Sequence, residues 1–163
     1  MKTRIIGMVL FTLLLCVSGA RADKGVGLGV IIGEPTGITV KKWLSYNHAV
    51  DAGAGWSFSE NNSVHFHADY LFHNFDLLDA GSLGGRLPVY FGLGGRLKLQ
   101  NHDNDRGRNH DHALAGARLP LGIAYEFPRD PVELFAEIVP VVDLIPDADF
   151  DINAAVGVRF YFK

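Results

Sequence analysis

Ser63, His65, His67 and Asp69 fall on every second residue and supply the group types of a serine hydrolase: a hydroxyl nucleophile, an imidazole base and a carboxylate to orient it. An alternating spacing puts all four on one face of a strand, where successive same-face residues stand about 6.6–7 Å apart. At that distance they cannot hydrogen-bond as a triad without help from a neighbouring strand, so the expectation is a packed polar face and no catalytic residue is assigned. A second constellation is the loop His102-Asp103-Asn104-Asp105-Arg106-Gly107-Arg108-Asn109-His110-Asp111-His112, with three imidazoles and three carboxylates in eleven residues. His102, His110 and His112 are the candidate ligands for zinc, copper or nickel. Arg106 and Arg108 in its middle weigh against a cation. A calcium-loop reading fails because Gly107 stands fifth from Asp103 and no glutamate closes the loop. The glycine runs Gly25-x-Gly27-x-Gly29 and Gly92-x-Gly94-Gly95 lack dinucleotide-binding spacing and precede no helix, so no cofactor is expected.

The elements that carry these residues alternate throughout. In the last stretch, Ile152, Ala154, Val156, Val158, Phe160 and Phe162 interleave with Asn153, Ala155, Gly157, Arg159, Tyr161 and Lys163. The same two-residue period recurs from Gly25 to Ile32, Gly37 to Leu44, Val50 to Ser57, Ser63 to His73, Val89 to Gln100, Arg118 to Phe127 and Val132 to Val141. Eight strands of roughly nine to eleven residues suit up-and-down closure and match the length that crosses hydrocarbon at a tilt. The intervening loops include Asn74 to Pro88, with a helical turn expected over Phe75 to Ala80, then Asn101 to Ala113 and Asp143 to Asp151. Pro120 and Pro140 lack a ladder donor, so each is expected at a bulge or strand end.

Which face meets water is decided by the polar residues. They are glycine mixed with Lys41, Asp51, His65, His67, Asp69, Arg96, Lys98, Arg118, Glu126, Glu133, Glu137 and Arg159, both signs together. Glycine and pairable charges suit a narrow interior filled by side chains. Trp43, Trp56, Tyr46, Phe58, Phe72, Phe127 and Phe162 lie near strand ends, where aromatic girdles form. The fold class is therefore all-β: an eight-stranded antiparallel transmembrane barrel with a polar, filled interior. Arg118 or Arg159 is expected to pair with Glu137 or Glu133, and Asn153 to tolerate Ser.

Lys2 and Arg4 precede an apolar run from Ile5 to Val17, and Ala20-Arg21-Ala22 offers small residues to a signal peptidase, so residues 1–22 read as a cleaved export signal and 23–163 as one barrel domain. Cys16, the single cysteine, leaves with the signal. The signal carries Lys2, Arg4 and Arg21 and no acid, so a net charge of −3 for the whole chain becomes −6 for the remainder, which argues against a nucleic-acid partner.

The export signal, the alternating strands and the closing Val156-Gly157-Val158-Arg159-Phe160-Tyr161-Phe162 resemble the small bacterial outer-membrane barrels of the OmpA and OmpX type. Gly33-Glu34-Pro35-Thr36-Gly37 with Lys41 and Trp43, and Asp69-Tyr70-Leu71, resemble an uncharacterised family of short single-barrel exported proteins. The resemblance implies an outer-membrane location, contact with outer-membrane lipid, and insertion by the barrel assembly machinery, which reads a C-terminal strand ending in an aromatic; here Lys163 follows Phe162. The leading function is a monomeric structural or interaction barrel that exposes loops at the cell surface. A narrow pore, a lipid A-modifying enzyme and a soluble lipocalin-like ligand-binding barrel remain alternatives. Against the enzyme, Ser63-Val64-His65 reverses the His-x-Ser order that lipid A deacylases show.

Overall fold

Alternation along every segment lets each strand pair on both sides, and the pairing closes. In the computed structural model, which describes residues 25–57, 63–100, 112–146 and 148–162, the strands are β1 (Val26–Gly33), β2 (Thr36–Trp43), β3 (His48–Ser57), β4 (Ser63–Asn74), β5 (Val89–Gln100), β6 (His112–Arg118), β7 (Leu121–Glu126), β8 (Val132–Ile145) and β9 (Asp149–Phe162). All pairings are antiparallel. β6 and β7 occupy one position, between β5 and β8, so nine segments make a ring of eight crossings. The export-signal segment, Phe58, His102 and His110 lie outside the described residues.

The register fixes the barrel's shape. Stepping across the ring from Phe162 leads to Val26, Lys42, Val50, Tyr70, Leu93, Leu119, Pro140 and then Ile152, ten residues from the start on the same strand. A stagger of ten over eight strands corresponds to a tilt of roughly 40° and an interior wide enough only for side chains.

Facing follows the sequence period. Leu28, Val30, Ile32, Phe66, Leu93, Leu121, Ile138, Val156 and Phe160 are exposed on the outer wall, while Lys41, Asp51, Asp69, Arg96, Arg118, Glu133 and Arg159 are buried inside. A lipocalin-like barrel, with its apolar face inward, would have the reverse facing. Inward glycines make room for large neighbours: a Cβ on Gly27 would lie 2.7 Å from Tyr161 Cε1, and one on Gly157 would collide with the Phe135 ring.

Several boundaries differ from expectation. Ala113, read as the end of a loop, and Leu114 to Ala117, assigned to no strand, belong to β6, because Ala115 and Ala117 extend the ladder to β5 and β8 with a register shift at Ala115/Gly116. The loop expected over Asp143 to Asp151 shrinks to a short turn, since β8 runs to Ile145 and β9 starts at Asp149. The connection after β4 has its helical turn at Gly81–Leu83 and not at Phe75 to Ala80. Pro120 does end a strand, at the break between β6 and β7. Pro140 marks neither bulge nor end. It lies within β8 in continuous register with β9, and its missing N–H falls opposite that same break, where its carbonyl accepts from the Leu119 N–H at 2.9 Å.

Candidate functional site

The barrel interior gathers the charged residues into three groups stacked along its axis. Nearest the chain termini, Glu133 accepts from Lys41 Nζ at 3.0 and 3.2 Å, from Arg159 Nη1 at 2.8 Å and from the Tyr161 hydroxyl at 2.9 Å. Arg159 is held further by Asp51, and donates from Nε and Nη2 to Thr39 Oγ1 at 3.2 and 3.0 Å. The Thr39 hydroxyl then donates to Asp51 at 3.0 Å. The guanidinium also lies 3.8 Å over the Phe135 ring. These bonds join β2, β3, β8 and β9 across the centre of the ring.

In the second group Arg118 Nε stands 3.0 Å from Asp69 and Nη2 3.6 Å from Glu137, whose other oxygen accepts from the Tyr90 hydroxyl at 3.0 Å. The third group, at the far end, has Arg96 bidentate on Asp143 at 2.9 and 2.6 Å, with Nη1 reaching Asp151 and Asn153 at 3.1 Å each. The Asn153 amide in turn donates to Asp151 at 3.0 Å. Bidentate guanidinium–carboxylate geometry fixes orientation as well as charge.

The remaining candidates are placed more loosely. Glu126 meets Arg86 at 2.6 Å where the β4–β5 connection returns along β7. Lys98 is half-buried and makes no ion pair within 4 Å among the described residues. His67 is buried over Gly53. His65 does what the spacing argued against: its Nε2 lies 3.2 Å from Ser63 Oγ, on the same strand. The expected separation applies to backbones, and these side chains lean together. Ser63 is 1% exposed, and no carboxylate bond to His65 appears among the described residues, so the pair is a satisfied contact in the wall of the interior. Of the loop imidazoles only His112 is in a described strand, at the start of β6.

Sequence reasoning missed Thr39, Tyr90, Tyr161, Asp143, Asp151 and Asn153 as partners. Tyr161 and Asn153 stand in alternation with Arg159, which was signal enough; Asp143 and Asp151 were hidden by being read as loop. Asn153, expected to accept Ser freely, instead bonds both Arg96 and Asp151. Trp43, expected in an aromatic girdle, points inward because it shares the parity of Lys41. Its ring lies 4.4 Å from His73, with Lys41 Nζ 4.6 Å above it. Phe75 lies 6.0 Å from the Trp43 ring and Tyr90 5.2 Å from the His73 ring, an aromatic cluster toward the end of the barrel nearest Val26 and Phe162. Trp56, Tyr46, Phe72, Phe127 and Phe162 are outside and exposed.

A consequence can be measured. Tyr161→Phe removes one of several donors to Glu133 and leaves its charge paired, so unfolding free energy should fall by about 1.5 kcal/mol, read as a shift of the urea midpoint of the folded barrel in detergent.

Among solved structures, the N-terminal β-barrel domain of Pseudomonas aeruginosa OprF is similar, with 17% identity, a TM-score of 0.62, and coverage of 84% of this chain and 96% of that one. That likeness carries the fold. No curated protein matches the sequence. Residues 18–162 match the pattern of DUF3996, described as a protein of unknown function. The alternating wall, the closed ring and the match across nearly the whole length agree: the chain belongs to the DUF3996 family.

Proposed function

We infer that this protein is a monomeric outer-membrane barrel, delivered by a cleaved export signal and inserted through its C-terminal strand. It serves as a rigid support for the connections at its far end. The observation that carries this reading is the inverted facing: valine, leucine, isoleucine and phenylalanine outside, ion-paired arginine, lysine and carboxylates inside. Hydrocarbon is the solvent that rewards such a wall, and a closed ring leaves no strand edge unsatisfied along most of its height. The outward run from Val64 to Phe72 covers about 20 Å of height at a 40° tilt, near the apolar band of about 25 Å that such barrels present.

The interior argues for support over transport. Three ion-paired groups and an aromatic cluster occupy the interior, and eight-stranded barrels are normally filled by side chains. The mature chain is expected in the outer-membrane fraction, migrating faster in unboiled gels than after boiling, and to give no steady ohmic conductance in planar bilayers. Recovery in a detergent-free periplasmic extract would overturn the membrane assignment. A reproducible conductance with correct fractionation would overturn only the sealed interior.

A further inference from the structure

The two edges of β9 are not equally covered. On one side its whole length pairs with β8, from Asp149 opposite Asp143 to Phe160 opposite Val132. On the other, the ladder to β1 ends at Gly33 opposite Ala155, with one further bond from Glu34 N–H to the Ala154 carbonyl at 3.1 Å. Because Ala154 turns its backbone toward β1, alternation turns Ile152 and Phe150 the same way. There the chain has already left for β2, so among the described residues 149–153 have no strand paired on that side, above the β1–β2 turn.

The side chains on this edge have a definite chemistry. Phe150 and Ile152 point outward and are 62% and 59% exposed; Asp151 points inward and is still partly exposed. The Phe150 N–H is occupied by the Asp149 carboxylate at 2.9 Å, while the Asp151 carboxylate accepts from Arg96 at 3.1 Å and from Asn153 at 3.0 Å. Arg96 bonds Asp143 and Asp151, and Asp149 stands opposite Asp143 in the ladder with no bond to that guanidinium among the described residues. An incoming strand must therefore draw the Asp149 carboxylate off the Phe150 amide before it can pair, which an ammonium or guanidinium does and an acidic or neutral segment does not.

We propose that the β9 edge at Asp149–Asn153 is a docking site for an extended peptide segment in which basic and apolar residues alternate. Its basic side chains face Asp149 and Asp151, its apolar ones lie beside Phe150 and Ile152, and its backbone adds a strand to the sheet. Edge-to-edge pairing with a second copy of this chain is disfavoured, because the facing edge carries the same carboxylates and no cation between 149 and 153.

The test uses the mature barrel in zwitterionic nanodiscs with a blocked (Lys-Val)4 peptide, and a blocked (Glu-Val)4 peptide beside it. Saturating (Lys-Val)4 should slow exchange of the Ile152 amide at least tenfold, and (Glu-Val)4 should leave it unchanged. Ile152→Pro deletes the edge donor without removing a bond to β8, and should weaken the lysine peptide at least tenfold. Asp149→Asn keeps an acceptor but loses the charge, and should weaken it at least fivefold; it carries the test alone if the proline variant does not fold. Equal affinity for both peptides, or unchanged affinity in the variants, would overturn the proposal. So would peptide-free, concentration-dependent protection of Ile152, which would make a second copy the occupant.

Discussion

Glu133→Gln should lower the unfolding free energy of the detergent-folded barrel by roughly 3–5 kcal/mol, the cost expected when one partner of a buried ion pair is removed and the other is left behind. Glu133 is 0% exposed and is the carboxylate on which Lys41, Arg159 and Tyr161 converge. Gln preserves volume and one acceptor, so packing loss is small. The change isolates the charge: two buried cations are left to share Asp51, which Thr39 already engages. The measurement is urea unfolding followed by tryptophan fluorescence, since Trp43 lies against Lys41. Lys41→Met added to Glu133→Gln removes one orphaned cation, so the double variant should lose less than the sum of the single losses. Stability within about 0.5 kcal/mol of the parent, typical of an indifferent surface change, would show that the interior pairs do not hold the wall.

The two-residue period made the facing legible, because a strand has only two faces and a run such as Val64 to His73 leaves no doubt which residues share one. It also put the polar residues on one face, and of these Lys41, Asp51, Asp69, Arg96, Arg118, Glu133 and Arg159 are buried. The partnerships were not legible. Lys41 and Glu133 are 92 residues apart and Arg159 and Thr39 are 120 apart; what brings them level is the ten-residue stagger, a property of the closed ring and of no single strand. Parity was sometimes overruled by position: Trp43 was assigned to a girdle because it ends a strand, although its alternation with Lys41 had it pointing inward. Proline misled in the other direction. Pro120 and Pro140 were each expected to disturb a strand, but one break serves both, since each lacks a donor at the same place in the wall.

The reading of the outer wall turns on one substitution above the rest. Val156→Arg should cost roughly 2–4 kcal/mol, the cost of a guanidinium at the midplane of a bilayer-embedded barrel. Val156 is 54% exposed on the outer wall and pairs with Ile32 on one side and Ala136 on the other, half way along β9. No buried contact explains a large loss there: if that wall faced water, an exposed valine replaced by arginine would change stability by no more than about 0.5 kcal/mol. The solvent alone separates the two outcomes. Leu144→Arg, outward on β8 near the far rim and also exposed, supplies the depth dependence, and should cost only about 0–1 kcal/mol because the long side chain reaches headgroups and water. Both are measured by reversible denaturant unfolding from phosphatidylcholine vesicles. Equal, small losses for the two would mean that hydrocarbon does not surround Val156, and the membrane assignment would fall while the ring and its interior ion pairs stood.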